Sequence, residues 1–187
     1  MRLPIASPPV RTQSDREIDL LPLAHAMQPR VFVARPPFIN GFDYRGPHAY
    51  SVTCCTHGRQ KYFADVSVVA TVVGELHRTS AEHQFEVLVH CVMPDHLHLL
   101  VQGRCEDSAL RPFVKLWRQR TAIAFSRARG HRLWQAGYWE RTVRSSEDLR
   151  QVADYIIANP VRAGLAESVD RWPHVGGTLV KRDRRRN

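Results

Sequence analysis

Cysteine is scarce in this chain and badly placed for a covalent framework: there are four, and Cys54 and Cys55 are adjacent. That excludes a small secreted scaffold stapled by disulfides and fits a reducing compartment. Long apolar runs are missing too. No stretch approaches the ~20 residues of a membrane span, and the N-terminus lacks the apolar segment of a secretory signal. The expected location is cytoplasmic, with no membrane partner. Acidic residues are in deficit: Asp and Glu total 18 against 27 Lys and Arg, a net charge of +9. An excess of one sign on this scale attracts polyanions, nucleic acid being the commonest. An anionic membrane would instead want a basic amphipathic helix free of the core, and none stands out. There is no internal repeat.

What is present fits one domain with loose ends. Apolar residues make up 43% of 187, enough for a real core. Residues 1–45 carry Pro4, Pro8, Pro9, Pro29, Pro36 and Pro37 with little periodicity, so a loosely structured extension is expected there. The main domain is expected over 46–175. Residues 176–187 end in Lys181, Arg182, Arg184, Arg185 and Arg186, a basic tail that is either solvated or in contact with phosphate.

The middle alternates strand and helix patterns. His48–Thr56 is β-rich. Asp65 is placed to cap a helix with Val69, Val72, Val73 and Leu76 on one face. Phe85–Val92 and His96–Gln102 read as an antiparallel hairpin across the Met93-Pro94-Asp95 turn. Asp107 is expected to cap a long helix ended by Gly130. Its apolar face carries Leu110, Phe113, Val114, Trp117, Ala124 and Phe125, and Arg111, Lys115 and Arg118 line another face. A loop from Trp134 leads to a short strand ending at Val143. Ser145 or Ser146 then caps a last helix, which Pro160 is expected to stop at Asn159.

Two constellations carry chemistry. His96 and His98 are two apart in a strand, so both imidazoles share one face. Alone, that is either half of a metal site or a hydrogen-bonded surface pair. His90 and Cys91, on the neighbouring strand, are core residues or a hint of zinc; the apolar strand around them favours core. On the last helix, Tyr155 and Asn159 stack one turn apart at the border of the apolar face. They are a packed tyrosine and a helix-end Asn, or a phenolic nucleophile and an amide ligand.

Three blocks in order form a more specific pattern: Val92-Met93-Pro94-Asp95-His96-Leu97-His98-Leu99-Leu100, then Leu133-Trp134-Gln135-Ala136-Gly137-Tyr138-Trp139-Glu140, then Tyr155-Ile156-Ile157-Ala158-Asn159-Pro160-Val161-Arg162-Ala163-Gly164-Leu165. Together they resemble the REP-associated tyrosine transposases, relatives of the single-strand insertion-sequence transposases in the HUH (His-hydrophobic-His) nuclease superfamily. The resemblance covers about residues 46–170. It implies an α+β fold of RRM/ferredoxin-like type, a central antiparallel sheet with helices packed on one side and the His pair on the sheet surface. It implies Tyr155 as nucleophile and His96, His98 and Asn159 as metal ligands, for Mg²⁺ or Mn²⁺.

The implied activity is a metal-dependent single-stranded DNA endonuclease and strand transferase working through a 5′-phosphotyrosine. Its partners would be single-stranded DNA and hairpins of repetitive extragenic palindromes, met by a monomer or homodimer associated with a bacterial nucleoid. For DNA contact, the stripe Arg111, Lys115, Arg118 and Arg120 suits a phosphate backbone, and Trp134, Tyr138 and Trp139 suit stacking on unpaired bases or packing. Two other readings stay open: a hairpin-binding module without catalysis, and a zinc hydrolase built on His90, Cys91, His96 and His98.

Overall fold

Strand alternation sets the architecture. In the computed structural model, which describes residues 43–180, Ala49–Cys55 (β1) is buried along its whole length and sends alternate residues to two different cores. Tyr50, Val52 and Cys54 enter one core. Ala49 enters the other. Around β1 the strands Phe85–Met93 (β2), His96–Gly103 (β3), Trp139–Val143 (β4) and Val175–Gly176 (β5) complete an antiparallel sheet of order β4-β1-β3-β2-β5. The fold class is α+β, as expected.

Helices Val66–Glu82 (α1) and Leu110–Arg129 (α2) close the first core with Val69, Val72, Leu76, Phe113 and Trp117. Helix Ser146–Arg162 (α3) corrects the expectation of helices on one side only: it lies on the other face, where Ala153 and Ile156 pack with Val89, Cys91, Met93 and Leu100. The β2–β3 register shifts between Val87 and Val89. That shift turns Val89, Cys91 and Met93 toward α3 while Val87 and Val92 stay in the first core.

Most local signals act as the sequence predicts. Asp65 accepts the amide of Ser67 at 2.9 Å, Ser145 accepts that of Asp148 at 3.0 Å, and Gly130 adopts the left-handed conformation that ends α2. Two boundaries differ. Asp107 does not cap α2: the helix starts at Leu110, whose amide is taken by the distant backbone carbonyl of Tyr44 at 3.0 Å. Pro160 does not stop α3, which runs on to Arg162. The sheet also reaches further along the chain than residue 175. Val175 and Gly176 pair with β2, and the amides of Thr178 and Leu179 bond the carbonyls of Val87 and Leu88. The expected N-terminal extension lies almost wholly outside the described residues, and the basic residues 181–187 lie outside them entirely. Among the described residues, no helix is long and apolar enough to cross a membrane.

Candidate functional site

The register of β3 decides the site. Leu97, Leu99 and Val101 fill the first core, which leaves His96 and His98 on the face that α3 crosses. The two rings meet edge to face, with Nε2 of His96 3.0 Å from Nε2 of His98. Each ring is gripped from behind. Nδ1 of His96 lies 2.6 Å from Oδ1 of Asp95, and Nδ1 of His98 lies 3.0 Å from Oγ1 of Thr53 on β1. Asp95 is itself fixed by Arg59, whose Nε stands 3.0 Å from Oδ2. Arg59 also donates from Nη1 to Sγ of Cys55 at 3.0 Å. Such outer partners set ring orientation and tautomer.

Burial pushes both imidazoles below their ordinary pKa. For His96 desolvation outweighs the pull of Asp95. For His98 it brings the value to about 3, with His96 and Arg59 adding to the effect. Both rings are therefore neutral near pH 7. Two Nε2 lone pairs at 3.0 Å repel unless a proton or a cation lies between them. Two ligands at right angles, each ~2.1 Å from one octahedral ion, stand about 3.0 Å apart. The pair thus fits two adjacent positions on such an ion. The His96 side chain is 18% exposed, so the site is reachable from solvent.

Among the described residues, no three His, Cys, Asp or Glu side chains gather to hold an ion. Asn159 on α3 offers an amide. Its Nδ2 donates to the carbonyls of Tyr155 (3.1 Å) and Ile156 (3.4 Å). The second bond has a local cause: Pro160 has no amide hydrogen to give Ile156, and the Asn159 side chain substitutes. With its nitrogen committed to the helix, the amide has its oxygen left to offer. Tyr155 is partly buried against the α3-side core, and the guanidinium of Arg162 lies 4.4 Å from its ring centroid.

The other expected residues scatter. His90 points to the opposite side of β2, where its ring meets that of His77 from α1 at 5.5 Å. Cys91 is fully buried and pushed up to about 12 by desolvation, its thiol donating to Sδ of Met93. These four residues therefore do not form the zinc centre of the hydrolase reading. The α2 stripe lies across the sheet from the His pair. There Arg111 stacks on Tyr44 and Arg118 lies over the rings of Trp134 and Tyr138. Arg120 pairs with Glu82 at 2.7 Å, while Lys115 is exposed.

Trp134 is a correction to the expected base contacts. It is 4% exposed, enclosed by Phe63 and Trp117, and its indole N–H donates to Thr121 at 2.9 Å. Tyr138 is partly buried against the same core. Trp139 is partly exposed on β4. The sequence reading missed Asp95, Arg59 and Thr53. Asp95 was signalled by adjacency to His96; Thr53 becomes visible only with the strand register.

Comparison with known proteins follows the same outline. The family described as Transposase IS200 like matches residues 47–159. A putative REP-associated tyrosine transposase of Haemophilus influenzae is 33% identical over 108 residues, 52% of this chain and 61% of that one. A REP-associated tyrosine transposase of Escherichia coli is 31% identical over 97 residues, 51% and 56% respectively. The chain thus aligns with less than two thirds of each relative. The solved structure of a REP-associated tyrosine transposase bound to a REP hairpin superposes with a TM-score of 0.62 at 19% identity, covering 75% of this chain and 92% of that one. At that identity the likeness is one of fold.

Proposed function

This chain belongs to the IS200-like transposase family, and on that premise we propose that it cleaves and rejoins single-stranded DNA beside palindromic repeat hairpins, using Tyr155 as the nucleophile. The observation that carries the proposal is the facing pair of neutral imidazole nitrogens, 3.0 Å apart on the sheet face that α3 crosses. Two relatives named as REP-associated tyrosine transposases support the substrate class.

Each residue then has a stated task. His96, His98 and the amide oxygen of Asn159 would hold a divalent ion, Mg²⁺ or Mn²⁺. All three ligands are neutral, so the bound ion would keep its full charge to polarise a non-bridging phosphate oxygen. Asp95, an acceptor only, favours a proton on Nδ1 of His96 and so a free Nε2 for the ion, while Thr53 orients the His98 ring. Tyr155 forms the new bond from its phenolic oxygen to phosphorus as the bond to the 3′ oxygen breaks. The phenolic proton passes to solvent or a base, and the departing oxygen gains one, leaving a 3′-hydroxyl. The link conserves the phosphoester, so a second 3′-hydroxyl reverses the step and joins strands. Arg162, over the Tyr155 ring, adds positive charge where a phosphodiester must come.

The test is a labelled hairpin with a single-stranded flank, incubated with the protein and Mg²⁺ or Mn²⁺. The expected result is a denaturation-resistant protein–DNA adduct that chelation abolishes. Binding without any adduct would leave only the non-catalytic hairpin-binding reading.

A further inference from the structure

The β4 edge of the sheet carries a second feature on the His face. Trp139 stands directly opposite Thr53, and Thr53 directly opposite His98, in one row across three neighbouring strands. Directly opposed residues of antiparallel strands share a face, and Thr53 is bonded to His98. Trp139 therefore lies on the His face. Two residues on, Arg141 stands opposite Ser51 on the same face and is exposed. The intervening Glu140 turns the other way, toward Tyr44, Arg111 and Tyr138 on the α2 side. One side of β4 is thus anchored, and the other presents an indole and a guanidinium beside the His pair. Helix α3 packs mainly over β2 and β3; on β4 it is Val143, at the far end of the strand, that joins the α3-side core, and Trp139 and Arg141 lie outside that cluster.

From this register we infer that β4 is the docking strip for the unpaired nucleotides flanking the scissile phosphate, with Trp139 stacked on a base and Arg141 on a neighbouring phosphate. The inference rests on the DNA-cleavage reading of the His pair. Two interstrand spacings place the Trp139 backbone roughly 10 Å from that of His98, a reach of one to two nucleotides. An indole face accepts any unpaired base, and a guanidinium suits phosphate geometry. A duplex offers no unstacked base, so the strip selects single strand. The net charge of +9 draws the same polyanion.

The experiment uses the full chain with Tyr155→Phe, so that binding is read without chemistry. Hairpins carrying 5-iodouracil at successive flank positions are photo-crosslinked and the attached peptide is mapped. The expected attachment is at Trp139, from a position one or two nucleotides from the cleavage point. Trp139→Leu should weaken binding of the flanked hairpin about tenfold and leave a blunt hairpin unchanged, while Trp139→Phe retains most of the affinity. Arg141→Gln should lower the slope of log affinity against log salt by about one. Crosslinks confined to α2, or equal weakening of flanked and blunt hairpins, would overturn the inference. Crosslinking at Trp139 in a protein whose wild type forms no adduct would retain the strip and remove the nuclease reading, so the two failures are distinguishable.

Discussion

The Nε2 atoms of His96 and His98 face each other at 3.0 Å, and each ring is held at its far nitrogen by a different element, Asp95 in the hairpin turn and Thr53 on the neighbouring strand β1. The pair is preorganised by the fold, so its properties should respond to the holders as well as to the imidazoles.

Removing a holder should therefore weaken metal use without unfolding the protein. Asp95→Asn keeps the shape but loses the charge that fixes the His96 tautomer. The divalent-ion concentration for half-maximal cleavage should rise about 10- to 100-fold, with the saturated rate changed less. Thr53→Val should act in the same direction through His98. A metal titration of cleavage checks both; an unchanged midpoint in both variants would show that the holders do not matter.

The pair also has a pH signature. Both folded-state pKa values lie below the ordinary 6.5, that of His98 at about 3. Below 6.5 the unfolded chain takes up protons at these positions that the folded chain refuses, so stability must fall as pH drops through that window. His98→Gln should flatten this part of the profile. Chemical denaturation at a series of pH values between 7 and 4 measures it, and parallel profiles for the two proteins would contradict the assignment.

Trp134 and Trp139 should behave oppositely on substitution. Trp134→Ala empties a core site and should cost about 3–5 kcal/mol of stability. Trp139→Leu, on a partly exposed edge, should cost far less and act on DNA binding. Thermal melting separates the two; similar losses of stability would show that Trp139 is a core residue as well.

Pro160 sets the orientation of Asn159. In Pro160→Ala the backbone regains an amide to bond Ile156, and the Asn159 side chain loses one of its two helix partners. The expected outcome is a helix at least as stable and cleavage that falls several-fold. Asn159→Leu should lower cleavage more than Pro160→Ala does. A melting curve paired with a cleavage rate decides it, and full activity in Asn159→Leu would exclude the amide as a ligand.

Much of this was legible in the residue order, for identifiable reasons. The His pair shares a face because strand periodicity is two, and the caps at Asp65 and Ser145 act through their own side chains on amides two or three residues away. The features that escaped depend on distant partners. Tyr44 supplies the α2 start through its backbone carbonyl, which carries no side-chain signal. Thr53 reaches His98 only through pairing of β1 with β3. Trp134 and Trp139 occupy the same motif, and only the packing of Phe63 and Trp117 around one of them tells them apart. Pro160 signals a stop because an interior proline removes a bond; Asn159 restores one locally, so α3 continues.

In the proposed reaction Tyr155 supplies the attacking oxygen. The most direct measurement is peptide mapping by mass spectrometry of the adduct formed with a flanked hairpin and Mn²⁺. The expected result is the DNA 5′-phosphate on Tyr155, a released strand that a polymerase extends from its 3′-hydroxyl, and no adduct in Tyr155→Phe. An adduct mapped to Tyr138, or one that persists in Tyr155→Phe, would contradict it.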